Sequence, residues 1–318
     1  MKPGDFVEAR RRLEAKPRAP AEKLTTLSEA VRRVEDGDHI AIGGCLFSRT
    51  PLGLLMEVLR QGRGGLTLSR SLMCYEGEWF LAAGALEVVM TSWFGIGVPW
   101  GLSRILREQV ESGRVRYEEW SHLGLGLRYR AGAMGVPFLP TLTMLGSDLM
   151  GVGAAKAMTC PFTGETLCLI PALFPDVALL HVHRADRFGN CQIDGYPHMD
   201  LDIARAATTV LVTAEEIISE DEVRRHPDRT VIPGFVVDAL VEVPYGAFPH
   251  ECYGLYEADV THFDAYVADI TAHGTRAIGE YLDRYVRAPR SHREYLALFG
   301  DEALARQARC ARELLGAR

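Results

Sequence analysis

The chain has 318 residues, of which 47% are hydrophobic and 24% charged, and its net charge at pH 7 is −7. This composition is typical of a globular protein, and the length suits one large α/β domain or two smaller ones. Because there is no long basic stripe and no apolar run near the roughly 20 residues that span a bilayer, we expect neither a nucleic-acid partner nor a membrane segment. Seven scattered cysteines without a C-x-x-C pair, and the lack of a secretory signal, predict reduced thiols and a cytoplasmic location.

The beginning of the chain predicts a short polar helix and a proline-containing linker over residues 1–22. A helix is predicted at residues 27–36. The short apolar run at residues 39–42 follows turn residues and fits a strand that is covered on both faces. Pro51 suits the first turn of the next helix, at residues 52–62.

Strand-like and helix-like segments alternate through the middle of the chain. Residues 140–163 are rich in glycine and methionine, and we expect them to be irregular and to be mobile or face a partner. The predicted strands are residues 66–69, 86–92 and an extended edge segment at 115–120, and the predicted helices are residues 100–112 and 123–134.

The same alternation continues to the C-terminus and predicts an α/β fold, with an open, mostly parallel sheet and flanking helices. No convincing linker follows residue 22. We therefore expect residues 23–318 to form a single domain with a helical C-terminal tail from about residue 267. The later predicted strands are residues 177–183 and 208–213 and a strand pair within 232–243, and the helices are 201–207, 266–291 and 302–315.

A glycine pair, Gly43-Gly44, stands where the first predicted strand must end. Glycines there can adopt positive φ and let a ligand or another backbone come close. Ligands of open α/β sheets bind beyond the carboxyl ends of strands, so this loop is a candidate binding site. From the pattern alone, a tight strand-to-helix turn without a ligand is favoured.

Other polar residues carry weaker signals. His181 and His183 lie two apart in a predicted strand and share a face, but no third ligand is recognisable. Hydrogen-bonded or packed histidines are therefore favoured over a metal site, and no metal is expected. Glu76 and Glu78 lie beside aromatic residues, where a buried carboxylate can act as an acid or a nucleophile. Solvated side chains are the commoner outcome for such a pair.

His122 follows Ser121, which is a predicted helix N-cap. A side chain at a helix N-terminus can reach a cleft, and the helix dipole there disfavours the imidazolium form. From the pattern alone, an incidental histidine beside a capping serine is favoured over a functional one.

Several ordered blocks between about residues 23 and 266 resemble the A (α) subunits of class I CoA-transferases, most closely those of the glutaconate CoA-transferase branch. The blocks span most of the chain, which makes the resemblance specific. They are Asp36-Gly37 through Gly43-Gly44 to Pro51, Gly135-Val136-Pro137-Phe138-Leu139-Pro140, Ala214-Glu215-Glu216-Ile217-Ile218-Ser219, Val237-Asp238-Ala239, and Pro244-Tyr245-Gly246-Ala247 leading to residues 252–256.

The resemblance implies a CoA-transferase-like fold and an obligate partner, the B (β) subunit, in a hetero-oligomer such as A2B2. It implies transfer of CoA between an acyl-CoA and a small carboxylic acid, with coenzyme A as part of the substrate and no permanently bound cofactor. In these enzymes the partner carries a glutamate in a Glu-Asn/Ser-Gly motif, which attacks the acyl-CoA, and a glutamyl-CoA thioester follows. We expect no such motif in this chain, where Glu76-Gly77 does not fit it, and we therefore expect the nucleophile on the partner. This chain would shape the acyl pocket, with the amides of Gly43 and Gly44 near the reacting carbonyl oxygen.

Three departures from the family pattern concern the substrate. The signature usually has Phe and Gly where this chain has Cys45 and Arg49, and the glutaconate branch also has Arg at the second position. We expect Arg49 to pair with a substrate carboxylate, with a surface salt bridge as the alternative, and Cys45 to alter the pocket. His122 aligns with a position that usually holds an active-site glutamine, and that holds glutamate in a related ring-opening hydrolase branch of steroid degradation.

Two alternative functions stay open at this point. The first is a component of a hydrolase that acts on a CoA thioester or opens a ring, with His122 in the active site as a base or a water-positioning group. The second is a non-catalytic protein that binds acyl-CoA or a sugar phosphate on the same type of fold.

Overall fold

The computed structural model describes residues 5–17, 19–97 and 99–316. Within these residues, no helix has both the length and the apolar character that crossing a membrane requires. The strands are β1 (His39–Ile42), β2 (Leu66–Ser69), β3 (Leu72–Met73), β4 (Leu86–Thr91), β5 (Trp93–Gly97), β6 (Gly101–Leu102), β7 (Arg116–Glu119), β8 (Phe138–Thr141), β9 (Lys156–Thr159), β10 (Thr166–Pro171), β11 (Val177–Asp186), β12 (Cys191–Gln192), β13 (Thr209–Ile218), β14 (Thr230–Ile232) and β15 (Ala239–Glu242). The helices are α1 (Asp5–Glu14), α2 (Leu27–Val31), α3 (Leu52–Arg60), α4 (Tyr75–Ala82), α5 (Arg104–Glu111), α6 (His122–Met134), α7 (Leu149–Val152), α8 (Asp200–Ala206), α9 (Glu220–Arg225), α10 (Val260–His273), α11 (Arg276–Tyr281), α12 (His292–Ala297) and α13 (Asp301–Leu314).

The central sheet is parallel in the order β15-β13-β11-β1-β2-β4-β7, and the short strands β12 and β14 extend it in antiparallel fashion beside the end of β11. Ile42 of β1 pairs with Leu179 of β11, and Ala41 pairs with Ser69 of β2. From β1 the chain adds β2, β4 and β7 on one side, whereas β11, β13 and β15 extend the other side. The strand order therefore reverses between β1 and β11, which is where open α/β sheets bind their ligands.

The sheet is covered on both faces, as the apolar run in β1 predicts. Ile40 and Ile42 belong to a core that packs against α3, α4 and α10, whereas Ala41 between them belongs to a second core against α6 and α8. Successive side chains of a strand point to opposite faces, so one strand contributes to both cores. The predicted open, mostly parallel sheet with flanking helices is confirmed.

The structure also corrects several predicted elements. Helix α4 was not predicted, and the helix expected at 27–36 ends at Val31. The helix expected at 266–291 starts at Val260 and is interrupted at Gly274, whose φ is +71°. The two strands in 232–243 do not pair with each other, because β14 pairs with β12 and β15 pairs with β13.

Residues 140–163 are more regular than their composition predicts. They contribute to β8 and form α7 and β9, and the two strands flank β10 in a small antiparallel sheet. The predicted helix at 100–112 begins only at Arg104, because β6 pairs with β5 just before it.

The N-terminal segment contains the predicted helix, α1. After it, Lys16 forms an ion pair of 2.6 Å with Asp238. Leu24 forms a parallel bridge to Leu240, so this segment covers the outer edge of β15. Residues 1–4, 18, 98, 317 and 318 lie outside the described residues, and the division of the chain at residue 22 stays a prediction.

Candidate active site

The loop after β1 is built around Gly43 and Gly44. Gly44 has a φ of +68°, and a Cβ atom on it would lie 2.1 Å from the carbonyl oxygen of Ser48. A Cβ atom on Gly43 would lie 2.5 Å from a methyl group of Leu180. Cys45 and Ser48 close the turn with two backbone hydrogen bonds of 3.0 and 2.7 Å. Both positions need glycine. Gly43 needs it because of close packing, and Gly44 needs it because of close packing and because of its positive φ.

The amides of this loop are largely used within the chain. Gly43 donates to a carbonyl oxygen of β11 at 2.9 Å, and Gly44 donates to Asp200 Oδ1 at 2.8 Å. Among the described residues, the amides of Leu46 and Phe47 at the tip of the turn have no acceptor. The free donors of the loop therefore lie beyond the glycine pair, and substrate binding by the glycines themselves stays a prediction.

Arg49 lies inside the protein and pairs with Asp200. The guanidinium forms an ion pair with that carboxylate, and the two side chains are 1% and 0% exposed. It also donates to the backbone oxygens of His181 at 3.2 Å and Tyr196 at 2.9 Å. The alternative of a surface salt bridge is wrong. The structure gives Arg49 an anionic partner inside the chain, which the expectation of a substrate carboxylate did not include.

A second buried ion pair supports the loop from the other side. Arg70 donates to Glu76 at 2.6 Å and to the hydroxyl of Thr50 at 2.9 Å. His250 Nδ1 lies 2.6 Å from the same hydroxyl. Burial lowers the pKa of His250 well below its usual value, so this imidazole is neutral at pH 7. The expectation of a solvated Glu76 is wrong, because its side chain is fully buried and also accepts from the Cys74 amide at 2.9 Å.

Glu78 is buried as well, so the expectation that it is solvated is also wrong. Its two carboxylate oxygens accept hydrogen bonds from Ser103 at 2.6 Å and from Tyr266 at 2.7 Å. Burial raises the pKa of Glu78 to about 7, against the opposing effect of these hydrogen bonds. The carboxyl group joins α4, the N-cap of α5 and α10, and it lies in the core rather than in the candidate site.

His122 is the first residue of α6 and is exposed. The N-cap Ser121 accepts a hydrogen bond from the Gly124 amide at 2.9 Å, as the sequence predicts. His122 Nε2 lies 3.4 Å from Nε2 of His198, which in turn lies 3.4 Å from the hydroxyl of Ser71. The predicted site histidine therefore belongs to a cluster of polar groups at the ends of β2 and α6.

His198 connects this cluster to the glycine loop. Burial lowers its pKa to about 4, with a smaller opposing effect of Asp200, so the ring is neutral at pH 7. Its backbone has a φ of +52°. Within three residues of it, Tyr196 binds Arg49 and Asp200 binds Gly44. The segment 196–200 thus brings together the two regions that the sequence predicted separately.

A cleft of about 450 Å³ lies between these two regions. It contains both Leu46 of the glycine loop and His122, and a volume of this size suits a small organic ligand. A larger groove of about 760 Å³ along α5 shares Ser92, Trp93 and Glu119 with it. The residues that line the cleft are Leu46, Leu72, Ser92, Trp93, Glu119, Trp120, Ser121, His122 and Leu149.

Cys45 is half-buried in the turn and is not among the residues that line this cleft. Burial raises the pKa of its thiol, so the thiol stays protonated at neutral pH. Its expected effect on the pocket stays a prediction.

The histidines of β11 form hydrogen bonds within the protein, as predicted. His181 lies 2.8 Å from the Thr213 hydroxyl and 2.7 Å from Glu215, and His183 lies 2.9 Å from a backbone carbonyl oxygen. His181, Glu215 and Cys252 approach one another within 4.8 Å, which is a possible metal-ligand distance. Glu215 also accepts hydrogen bonds from two amides and a tyrosine hydroxyl. The cluster is therefore already satisfied as a buried hydrogen-bond network.

The expectation that this chain lacks the nucleophile motif is wrong, because Glu-Ser-Gly occurs once, at Glu111-Ser112-Gly113. The structure places these residues at the C-terminal end of α5. Ser112 is the C-cap, Gly113 has a φ of +72°, and Glu111 is exposed. This is the ordinary geometry of a helix that ends at a glycine, so the tripeptide has a sufficient local explanation.

Sequence reasoning missed Asp200, His198, Leu46 and Trp93. Asp200 is an acidic residue in the first turn of a helix, which is a recognisable signal for a helix start but not for a contact with a loop 156 residues earlier. His198 lies in a loop between short elements. Leu46 and Trp93 are single apolar residues, and no pattern distinguishes them from core residues.

Comparison with known proteins identifies the family. Residues 24–243 match the family of coenzyme A transferases. The A component of glutaconate CoA-transferase from Acidaminococcus fermentans is 33% identical over 87% of this chain and 92% of its own length. The crystal structure of that enzyme superposes with a TM-score of 0.83 over 89% of this chain and 94% of the matched chain, at 32% identity.

Two further relatives extend this comparison. The A component of 3-oxoadipate CoA-transferase from Pseudomonas knackmussii is 34% identical over 86% of this chain and 97% of its own length. A protein of Archaeoglobus fulgidus is 39% identical over 94% of this chain, which spans only 66% of that longer protein. The chain therefore belongs to the coenzyme A transferase family, within the class of A components that the sequence resembles. It is one component of a CoA-transferase, and the hydrolase alternative is not favoured.

Proposed function

We propose that this chain and a B-type partner together move CoA between an acyl-CoA and a carboxylic acid, and that this chain forms the acyl side of the site. The observation that carries the proposal is the cleft between Leu46, which follows β1, and His122, which follows β7, at the carboxyl ends of the parallel strands. Membership of the family supports the reaction class.

The reaction that we propose needs a nucleophile from the partner. A glutamate carboxylate of the partner attacks the acyl carbonyl carbon, the C–S bond breaks, and an acyl-glutamyl anhydride and a CoA thiolate form. The thiolate then attacks the glutamyl carbonyl carbon and releases the first acid as its carboxylate. A second carboxylate takes the CoA by the same steps in reverse, which regenerates the free glutamate.

In this scheme the described residues contribute donors and position. We expect the amide of Leu46, which lines the cleft and has no acceptor among the described residues, to donate to the carbonyl oxygen, on which negative charge develops in each addition step. His122 reaches the same cleft and can donate a hydrogen bond from its imidazole. Asp200 and Arg49 act on the loop rather than on the reacting atoms, because both are closed to solvent.

The test uses the chain purified with its B-type partner. The complex is incubated with an acyl-CoA, reduced with borohydride and analysed by peptide mass spectrometry. We expect a reduced glutamate in the partner and transfer of CoA to an added acid. Release of the acid with no new thioester and no modified glutamate would contradict the proposal and support hydrolysis. A modified Glu111 would place the nucleophile on this chain instead.

We also propose that the partner covers the exposed apolar side chains beside the small antiparallel sheet, in an A2B2 assembly. Leu142 is 64% exposed and Phe162 is 94% exposed. Phe138 of β8 and Met158 of β9 are exposed on the same small sheet, and a group of exposed apolar side chains favours an interface more than a single one does. Light scattering of the purified complex measures the stoichiometry directly, and a mass other than that of two copies of each chain would contradict it.

A further inference from the structure

We propose that the acyl subsite of this chain selects an apolar, monocarboxylic acyl group and disfavours one that carries a second carboxylate. The inference rests on the proposed function, since it concerns the acyl group that the transferase carries. It replaces the sequence-based expectation that Arg49 pairs with a carboxylate of the substrate. It also separates this chain from relatives named for glutaconate and 3-oxoadipate, both of which are dicarboxylates.

The first observation is that the arginines next to the glycine loop are already neutralised. Arg49 pairs with Asp200 and Arg70 pairs with Glu76, and none of the four side chains is more than 1% exposed. A substrate carboxylate that approached either pair would leave one net negative charge in a buried site. Such a charge is costly unless it has its own cationic partner.

The second observation is the lining of the cleft. No lysine or arginine is among the described residues that line it, whereas Leu46, Leu72, Trp93 and Leu149 give it an apolar wall. Trp93 also offers a broad aromatic surface on which an aliphatic or aromatic acyl group can pack. The free energy of binding at such a wall comes from burial of apolar surface, which a terminal carboxylate does not provide.

The third observation is the charge that the cleft does contain. Glu119 lines it, is exposed, and forms no ion pair with the described residues, whereas its neighbour Glu118 pairs with Arg116 and Arg128. A carboxylate on the substrate would meet this like charge, and juxtaposed like charges discriminate strongly between partners. Among the described residues that line the cleft, His122 is the only histidine.

The test compares two five-carbon substrates, valeryl-CoA and glutaryl-CoA, in the complex with the B-type partner. We expect kcat/KM to favour valeryl-CoA by at least about tenfold. Glu119→Gln removes the like charge and should lower this ratio by raising kcat/KM for glutaryl-CoA. Glu87→Gln, at an exposed residue of β4, is the matched control and should leave the ratio unchanged.

A second variant adds a cation to the cleft. Leu72→Arg should shift the preference toward glutaryl-CoA, whereas Leu255→Arg, at an exposed residue outside the cleft, should not. Equal rates for the two substrates, or a preference of the unmodified complex for glutaryl-CoA, would overturn this inference and leave the proposed function standing. If neither substrate nor any other acyl-CoA forms a trapped thioester, the proposed function fails and this inference fails with it.

Discussion

Asp200 and Arg49 form an ion pair that is closed to solvent, and the same carboxylate accepts a hydrogen bond from the amide of Gly44. One carboxylate thus fixes both ends of the loop that follows β1. Asp200 is also the first residue of α8, where the helix dipole favours a negative charge. The shape of the candidate site therefore depends on a residue that lies on the other half of the sheet.

Asp200→Asn tests this dependence. Asparagine keeps the size and an oxygen for the Gly44 amide, but it leaves the Arg49 guanidinium buried without a counter-charge. We expect a loss of roughly 3–5 kcal/mol in the free energy of unfolding, measured by urea denaturation. Glu222→Gln, which breaks the exposed pair with Arg225, is the control and should cost less than about 1 kcal/mol. Equal losses for the two variants would show that the buried pair has no special role.

Gly44→Ala tests the loop conformation. Gly44 and Gly84 have nearly the same φ, +68° and +66°, but a Cβ atom on Gly84 meets nothing within 4 Å. Gly84→Ala should cost about 1–2 kcal/mol for the left-handed backbone alone. Gly44→Ala should cost at least about 1–3 kcal/mol more, because its new methyl group meets the Ser48 carbonyl oxygen. Thermal unfolding of both variants measures the difference. Equal melting temperatures would contradict the close approach of the Ser48 carbonyl oxygen to Gly44.

His122 substitutions separate catalysis from stability. The side chain is exposed, so His122→Ala should change the free energy of unfolding by less than about 0.5 kcal/mol. We expect it to lower kcat/KM for CoA transfer by about 100-fold or more, and His122→Gln, which keeps a hydrogen-bond donor, to retain most of the activity. His273→Ala, at an exposed position on α10, is the control. An unchanged kcat/KM of the His122→Ala variant would show that this residue takes no part in CoA transfer.

Glu78→Gln tests how the free energy of unfolding depends on pH. The carboxyl titrates near 4.5 in the unfolded chain and at about 7 in the fold, so between these values the folded state holds an extra proton. The stability that this group contributes is therefore complete below pH 4.5 and is lost as the pH rises through about 7. We expect Glu78→Gln to be more stable than the unmodified chain at pH 8, by up to roughly 3 kcal/mol.

The measurement for Glu78→Gln is urea denaturation at pH 5 and pH 8. The gain should shrink toward zero at the lower pH, because the unmodified side chain is then protonated and resembles glutamine. The exposed Glu87→Gln should show no such pH dependence. A gain of the same size at both pH values would mean that the effect does not come from ionisation of Glu78.

Much of the fold was predictable because its signals are local. The strand β1 is a short apolar run after turn residues, and α6 begins at a capping serine and ends at Gly135. Helix α4 gave no such signal. Nearly all of its residues are buried, so it has no polar face and no helical periodicity of hydrophobic residues.

The site was predictable only in its separate pieces. The glycine pair and His122 carry local signals of a turn and a helix N-terminus, and the family resemblance gave both a role. Their connection through His198 and Asp200 depends on contacts between segments that lie far apart in the chain. Periodicity and capping patterns contain no information about such contacts.

The hydrogen bond from Gly44 to Asp200 closes a loop of 156 residues. During synthesis, the first half of the sheet emerges long before α8, so the glycine loop then lacks the carboxylate that fixes it. Contacts of such long range form slowly, because the entropy of closing the intervening chain must be overcome first. The binding loop should therefore acquire its final shape late in folding, after the two halves of the sheet have joined. Any fragment that ends before residue 200 should carry the loop in a disordered form.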